Sequence, residues 1–362
     1  MGIKMRAWEK NIRQVVPYTP GEQPKLSDVI KLNTNENPYP PAPAVEEAWK
    51  SMDISALRLY PDPKAEALVG AIASYYGLSE DQVFVGVGSD DVLGMAFLTF
   101  FHSDKPILFP DITYSFYDVW ADLFRIPYET PELDQNFRIR ARDYDKENGG
   151  VIFPNPNAPT GEAVELSFIE DVLLHNQDVV VIVDEAYVDF GTQSALPLIE
   201  KYENLLVVQT FSKSRSLAGL RIGYAMGNQR LIQALNHVKY AYNSYTMNMP
   251  SIMLGVKAIE DREYFEDITA RIIATREYTK EEFRKLGFAF GDSRANFLFV
   301  THPKYTAEEI FEYLKGEKIY VRHFNSKRIK NYLRVTIGTR EQMEAVFAAL
   351  RTWISSKEMR TD

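Results

Sequence analysis

"LLVVQTFSKSRSLAGLRIGY", residues 205–224, runs from a continuous apolar stretch into three cations, Lys213, Arg215 and Arg221, within nine residues. An apolar run without polar alternation reads as a strand buried on both faces, the kind found inside a largely parallel sheet. "DVVVIVDEAY", residues 178–187, has the same texture and ends its aliphatic run on Asp184. In an open α/β sheet the ligand lies beyond the carboxyl ends of the strands, so Asp184 and Lys213 are expected to meet in one crevice. A single strand-end charge is more often a cap or a solvated loop residue. An acid and a lysine together imply chemistry.

Working outward, "PILFP", "GGVIFPNP" and "LRIGYAM" are further strand candidates, most of them separated by helix-length segments. Ala65, Leu68, Val69, Ile72, Ala73 and Tyr76 keep helical spacing up to a stop at Gly77. "QVFVGVGS" runs from a strand into a glycine turn, and the apolar stretch after it is expected to be a helix capped by Ser89 or Asp90. Past about residue 245 the texture changes to long charged helical patterns (263–286), then to strands "NFLFV", "IYVRHF" and "YLRVTIG". The expected organisation is an N-terminal arm (1–40), a large α/β domain (41–250) with a mostly parallel sheet between helices, and a smaller α+β domain (251–362).

The 362 residues carry 41 basic and 50 acidic side chains, a net charge of -9 that opposes broad attraction to nucleic acid or an anionic membrane. A small-molecule partner is expected. There is no cysteine, which excludes disulfides and thiolate chemistry and suits a cytoplasmic setting. The N-terminal residues lack an apolar core of signal-peptide length, and the longest nearly apolar run, 92–101, is too short to span a bilayer. Five scattered histidines give little support for a zinc site.

A lysine and a carboxylate converging on one crevice is what pyridoxal phosphate requires: the lysine forms a Schiff base and the acid keeps the pyridine nitrogen protonated. Lys213 would also serve as general base at the substrate's alpha carbon. Arg215 and Arg221 would disfavour an ammonium on Lys213, and an anionic phosphate held by Ser212 and Arg221 would account for the clustered cations. The turn "GVGSDD" offers backbone N–H groups to the same anion. Gly86 and Gly88, with Asp111 downstream, also suggest a dinucleotide fingerprint, but Asp91 stands where the third glycine is needed, and no P-loop pattern occurs.

"PNPNAPTG" (154–161), "DEAY" (184–187), "SKS" (212–214) and "GLRIGY" (219–224), in that order, resemble the fold type I pyridoxal-phosphate aminotransferases, over essentially the whole chain. "LNTNENP", "LYPDP" and "LRVTIGT" narrow the resemblance to histidinol-phosphate aminotransferases. The resemblance implies Lys213 as the Schiff-base lysine, Asp184 as the pyridinium partner, Tyr187 as donor to the ring oxygen and Tyr114 as the stacking aromatic. It assigns the phosphate to Ser89, Asp90, Ser212 and Arg221, joined by Tyr60 from the neighbouring subunit of a homodimer. Where the family has Asn before Pro-Thr-Gly this chain has Ala158, so Asn157 is expected to take that role through an altered loop. Arg322 and Arg334 are implied at the substrate anion, with Tyr18 and Asn33 or Glu36 nearby.

The implied reaction moves the amino group of L-histidinol phosphate to 2-oxoglutarate, giving imidazole acetol phosphate and L-glutamate. An aromatic amino-acid aminotransferase and a decarboxylase of a phosphorylated amino acid are the alternatives. A ligand-sensing module would need a basic DNA-binding domain, for which the chain has neither room nor charge.

Overall fold

The computed structural model describes residues 6–19, 21–25 and 28–359; the first five residues of the expected arm and the last three of the expected small domain lie outside the described residues. Seven strands form the central sheet, in the spatial order Val83–Val87, Ile222–Gly227, Leu205–Thr210, Val181–Asp184, Val151–Pro154, Ile107–Leu108, Tyr128–Glu129. Ile222–Gly227 runs antiparallel to both neighbours, while the other pairs are parallel.

The three central strands are buried along their whole length because helices cover both faces. Val181, Val183, Leu205 and Val207 face a layer containing Leu68, Ile72 and Ile252. Ile182, Leu206 and Val208 turn the other way, toward Leu93, Phe97 and Ile232. Each such side chain contributes roughly 1.5–3 kcal/mol on burial. Register then aligns the strand ends: Pro154 pairs with Asp184, and Asp184 with Val208. The polar residues that follow these strands therefore emerge along one edge of the sheet.

The helix Glu66–Tyr76 buries Leu68, Ile72 and Ala73 and ends at Gly77, whose φ of 70° suits a residue without Cβ. The helix Gly88–Phe100 is not capped by Ser89 or Asp90, contrary to expectation. Instead the Val87 N–H donates to Asp91 Oδ2 at 2.9 Å, and no N-cap side chain takes a first-turn N–H.

A second, antiparallel sheet orders Arg322–His323, Leu333–Thr336, Phe297–Thr301 and Ala289–Phe290. Its core includes Ile272, Phe283, Ile310 and Phe347. The helix Met249–Glu260, placed by sequence mostly in the small domain, sends Ile252, Leu254 and Ile259 into the large core, so the change of core falls within the long helix Arg262–Lys285 and not at residue 251. Amphipathic spacing gives a helix an apolar face without saying which core it covers. The arm is tied to the small unit: Ile30–Lys31 pairs in parallel with Ile319–Tyr320, and Leu32 joins its core. Among the described residues no helix is long and apolar enough to cross a membrane.

Candidate active site

A recess opens where the strands Val151–Pro154, Val181–Asp184 and Leu205–Thr210 end. Asp184 and Lys213 both line it, as do Tyr114, Tyr187, Ser89, Asp90, Ser212 and Arg221. The expected acid and lysine thus meet in one crevice.

Asp184 is almost wholly buried. Its Oδ2 accepts from the Tyr117 hydroxyl at 2.8 Å and its Oδ1 from the Ala186 N–H at 3.2 Å. Burial pushes its carboxyl up to about 6, while these two donors and the charge of Lys213 oppose the rise. Such a group gains strongly from a cation placed against it. Lys213 Nζ donates to the Thr34 carbonyl at 3.1 Å and lies 5.8 Å from the Tyr187 ring centroid.

Ser89, Asp90, Ser212 and Arg221 line the same recess, and the first residues of the helix Gly88–Phe100 lie against Arg221 and Gly223. A Cβ on Gly223 would sit 2.2 Å from the Ser89 nitrogen, and one on Gly88 would sit 2.5 Å from Arg221 Nη2. Two glycines are therefore needed to bring strand, helix terminus and guanidinium this close. Asp90 departs from its expected role as a phosphate ligand: its carboxylate is engaged by Arg221 Nη2 at 3.0 Å and by the Tyr114 hydroxyl at 2.6 Å. An acceptor-only group cannot hold an anion, so the Asp90 side chain positions Arg221 and Tyr114 instead. Cation, helix N-terminus and a buried carboxylate at opposite ends fit pyridoxal phosphate, whose phosphate and ring nitrogen need these partners.

Two expectations fail, those for Arg215 and Asn157. Arg215 lies outside the recess; its guanidinium is 4.0 Å from the Phe265 ring centroid and donates to the Ala258 carbonyl at 2.9 Å. Asn157 does not take the place of the missing asparagine. Its Nδ2 donates to the Ile112 carbonyl (3.0 Å) and Thr160 Oγ1 (3.1 Å), and its Oδ1 accepts from Thr113 (3.0 Å), so the loop consumes the amide while Ala158 lines the recess. Glu36 lies within reach of the charge of Lys213, as its expected place near the site requires, with its carboxylate held by Lys31 Nζ at 2.6 Å and Thr34 Oγ1 at 2.8 Å.

A groove lined by Tyr18, Tyr114, Arg322 and Phe324 adjoins the recess. Tyr18 stacks on Phe116 with centroids 4.3 Å apart. Arg334 donates from Nη2 to the Asn33 carbonyl at 3.0 Å, yet its Nε and the Asn33 Oδ1 are buried without a partner among the described residues. Burial lowers the Arg334 pKa, with the charge of Arg322 adding to the effect and Tyr187 opposing it. An orphaned guanidinium N–H costs free energy unless an anion meets it. Tyr60 is 81% exposed and rests on Tyr245, centroids 4.7 Å apart, away from the recess of its own chain.

Sequence reasoning missed Tyr117, which braces Asp184, and the depth to which the arm enters the site. Asn35 Nδ2 donates to the Tyr187 hydroxyl at 2.9 Å, and Asn37 Nδ2 donates to the Lys213 carbonyl at 3.0 Å. The run of carboxamides in "LNTNENP" was the available signal. A larger groove lies at the far edge of the sheet, but Lys239, the buried cation on its wall, already donates to the Pro63 carbonyl at 3.0 Å.

The profile of Aminotransferase class I and II matches residues 27–350. The chain is 50% identical to a histidinol-phosphate aminotransferase of Clostridium botulinum, over 93% of this chain and 95% of that one. It is 49% identical to one of Lactococcus lactis, over 97% and 99%. Among solved structures, the histidinol-phosphate aminotransferase of Clostridium acetobutylicum superposes with a TM-score of 0.83 at 22% identity, covering 91% of this chain and 100% of that one. That of Sinorhizobium meliloti, in complex with pyridoxal-5'-phosphate, gives 0.81 at 23%, covering 90% and 91%. With half of its residues shared across nearly the whole length of such relatives, the chain belongs to the class I and II aminotransferases, in the histidinol-phosphate aminotransferase family of pyridoxal-phosphate enzymes.

Proposed function

We propose that this enzyme moves the amino group of L-histidinol phosphate to 2-oxoglutarate, with the roles below. The observation that carries the substrate reading is a pair of arginines, Arg322 in the adjoining groove and Arg334 within electrostatic reach of Tyr187 and Tyr114 with a buried Nε that has no partner among the described residues, in a chain whose relatives at about half identity bear that enzyme's name.

Pyridoxal phosphate, when bound, supplies an electron sink for charge developed at the alpha carbon of the amino donor. Lys213 carries the cofactor at rest, and its amine then moves the proton at that carbon. Asp184 holds a proton on the ring nitrogen, where its burial favours a cationic partner. Tyr187 donates to the ring oxygen and the Tyr114 ring covers the cofactor. Ser89, Ser212, Arg221 and the first-turn N–H groups hold the phosphate. Arg334 anchors the anion shared by both half-reactions, and Arg322 adds a second cation for the phosphate ester, with Tyr18 and Asn33 lining the way in.

Tyr60 rests on Tyr245, and both rings are exposed in the single chain. A second copy covering these rings makes a homodimer in which Tyr60 reaches the phosphate end of the partner's recess.

The test follows conversion of the cofactor's absorbance with L-histidinol phosphate, L-phenylalanine and L-phosphothreonine side by side. The expected result is fast conversion with the first. Arg322→Ala should lower kcat/KM for L-histidinol phosphate by about one to two powers of ten more than for L-phenylalanine, since a charge-assisted bond in a desolvated site is worth roughly 1.5–3 kcal/mol. Equal losses would move the aromatic aminotransferase reading to first place, and carbon dioxide release from L-phosphothreonine would favour a decarboxylase.

A further inference from the structure

We infer that Asn35 is a positioning residue for Tyr187, and that it makes good the amide missing at Ala158; the inference rests on the cofactor reading above. Ala158 lines the recess where a carboxamide is expected, and Asn157 is consumed by its own loop. The hydroxyl of Tyr187 is left to serve the ring oxygen without a carboxamide beside it, so the direction of its proton matters.

The hydrogen bonds around Asn35 fix that direction. The Asn35 N–H donates to Thr336 Oγ1 at 3.0 Å, and the Thr336 hydroxyl donates in turn to Asn35 Oδ1 at 3.0 Å. With Oδ1 committed as acceptor, the other end of the amide must be the Nδ2 donor, and it meets the Tyr187 hydroxyl at 2.9 Å. A phenol has one proton to give; taking a hydrogen bond from Asn35 leaves that proton for the recess, and receiving a bond strengthens an O–H as donor. Asn35 is 1% exposed, its carbonyl accepts from Asn296 Nδ2 at 3.0 Å, and its φ of 56° lies in the left-handed region that asparagine tolerates. Little freedom remains for the amide to turn.

The experiment compares holoenzymes of the wild type, Asn35→Asp, Thr336→Val and the double variant Asn35→Asp with Ala158→Asn. Three quantities are read: the pH midpoint of the visible absorbance change, the pyridoxal phosphate dissociation constant from tryptophan fluorescence, and the melting temperature of the apoenzyme. An aspartate at position 35 accepts the Tyr187 proton and turns it from the recess. Asn35→Asp should therefore raise the midpoint by about one unit and weaken cofactor retention roughly tenfold. Thr336→Val, which frees the amide to turn, should shift both in the same direction by less, and the added Ala158→Asn should recover most of the loss. An unchanged midpoint in Asn35→Asp, with only a lower melting temperature, overturns the inference, as does a double variant without recovery. Should Asn35→Asp fail to fold, an unshifted midpoint in Thr336→Val overturns it as well. A wild type that takes up pyridoxal phosphate without a visible band contradicts the cofactor reading itself.

Discussion

Lys213 and Arg215 stand two residues apart after the same strand, and they enter opposite environments. Lys213 opens into a recess that it shares with Asp184, which among the described residues has no cation hydrogen-bonded to it. Arg215 enters a closed compartment in which the rings of Phe265, Tyr75 and Phe211 surround its guanidinium and the charge of Asp189 lies near. The neighbouring acids divide in the same way. Asp184 faces the recess, whereas Glu185 accepts from Ser194 Oγ, the Ala195 N–H and Gln209 Nε2, at 2.6, 2.6 and 2.8 Å. Burial pushes both acids up, to about 6 and about 7. A perturbed pKa thus does not tell a site from a scaffold. Incomplete pairing beside open space does.

The largest effect should separate the two compartments by rate. Lys213→Ala removes the proton carrier, a loss of roughly 10²–10⁴-fold in turnover, and Asp184→Asn should fall in the same direction, both with near-normal melting of the apoenzyme. Near-normal turnover in either would erase the distinction. Arg215→Ala should do the reverse. It opens a hole among the rings of Phe265, Tyr75 and Phe211, leaves the Ala258 carbonyl without its donor and costs about 2–5 kcal/mol of stability, with kcat/KM per folded molecule close to that of the wild type. Denaturant unfolding and active-site titration check this, and a large catalytic loss in a stable protein would move Arg215 to the catalytic side.

The sequence carried the frame of this contrast and not its handedness. Unbroken β-branched runs identified the central strands, and their carboxyl ends identified Asp184 and Lys213, because burial on both faces leaves a composition that few other structures share. Past the end of a strand alternation stops, so nothing in "SKSR" says that Lys213 turns to the recess and Arg215 away from it. Spacing could not show that Asn157 would be consumed by its own loop, or that Asn35, some 150 positions from Tyr187, would reach its hydroxyl. Those bonds depend on how the arm is held by Thr336 and Asn296 in the small unit. The boundary near residue 250 was misplaced for a related reason: an amphipathic helix does not name its partner.

The smallest effect concerns pH. A buried acid raised above its ordinary value binds a proton more tightly in the folded chain than in the unfolded one. Its contribution to stability is therefore present below about 4 and is lost as pH rises to its folded value. Asp184 should make the apoenzyme less stable between about pH 4 and 6, by on the order of 1–3 kcal/mol, and Asp184→Asn should remove that slope. Glu185 adds a similar slope reaching about pH 7. Pyridoxal phosphate should abolish the first slope and leave the second, since its cation meets only the recess. Melting curves across this range, with and without cofactor, test the point; equal flattening of both would mean that the compartments are coupled.

The most direct test of the central claim is chemical. Enzyme loaded with pyridoxal phosphate is reduced with borohydride, digested and mapped by mass spectrometry. The assignment predicts the cofactor on the peptide that contains Lys213, with the label absent from Lys213→Ala. Stoichiometric labelling of another lysine, such as Lys31 beside Glu36 or Lys239 at the far edge of the sheet, would contradict it.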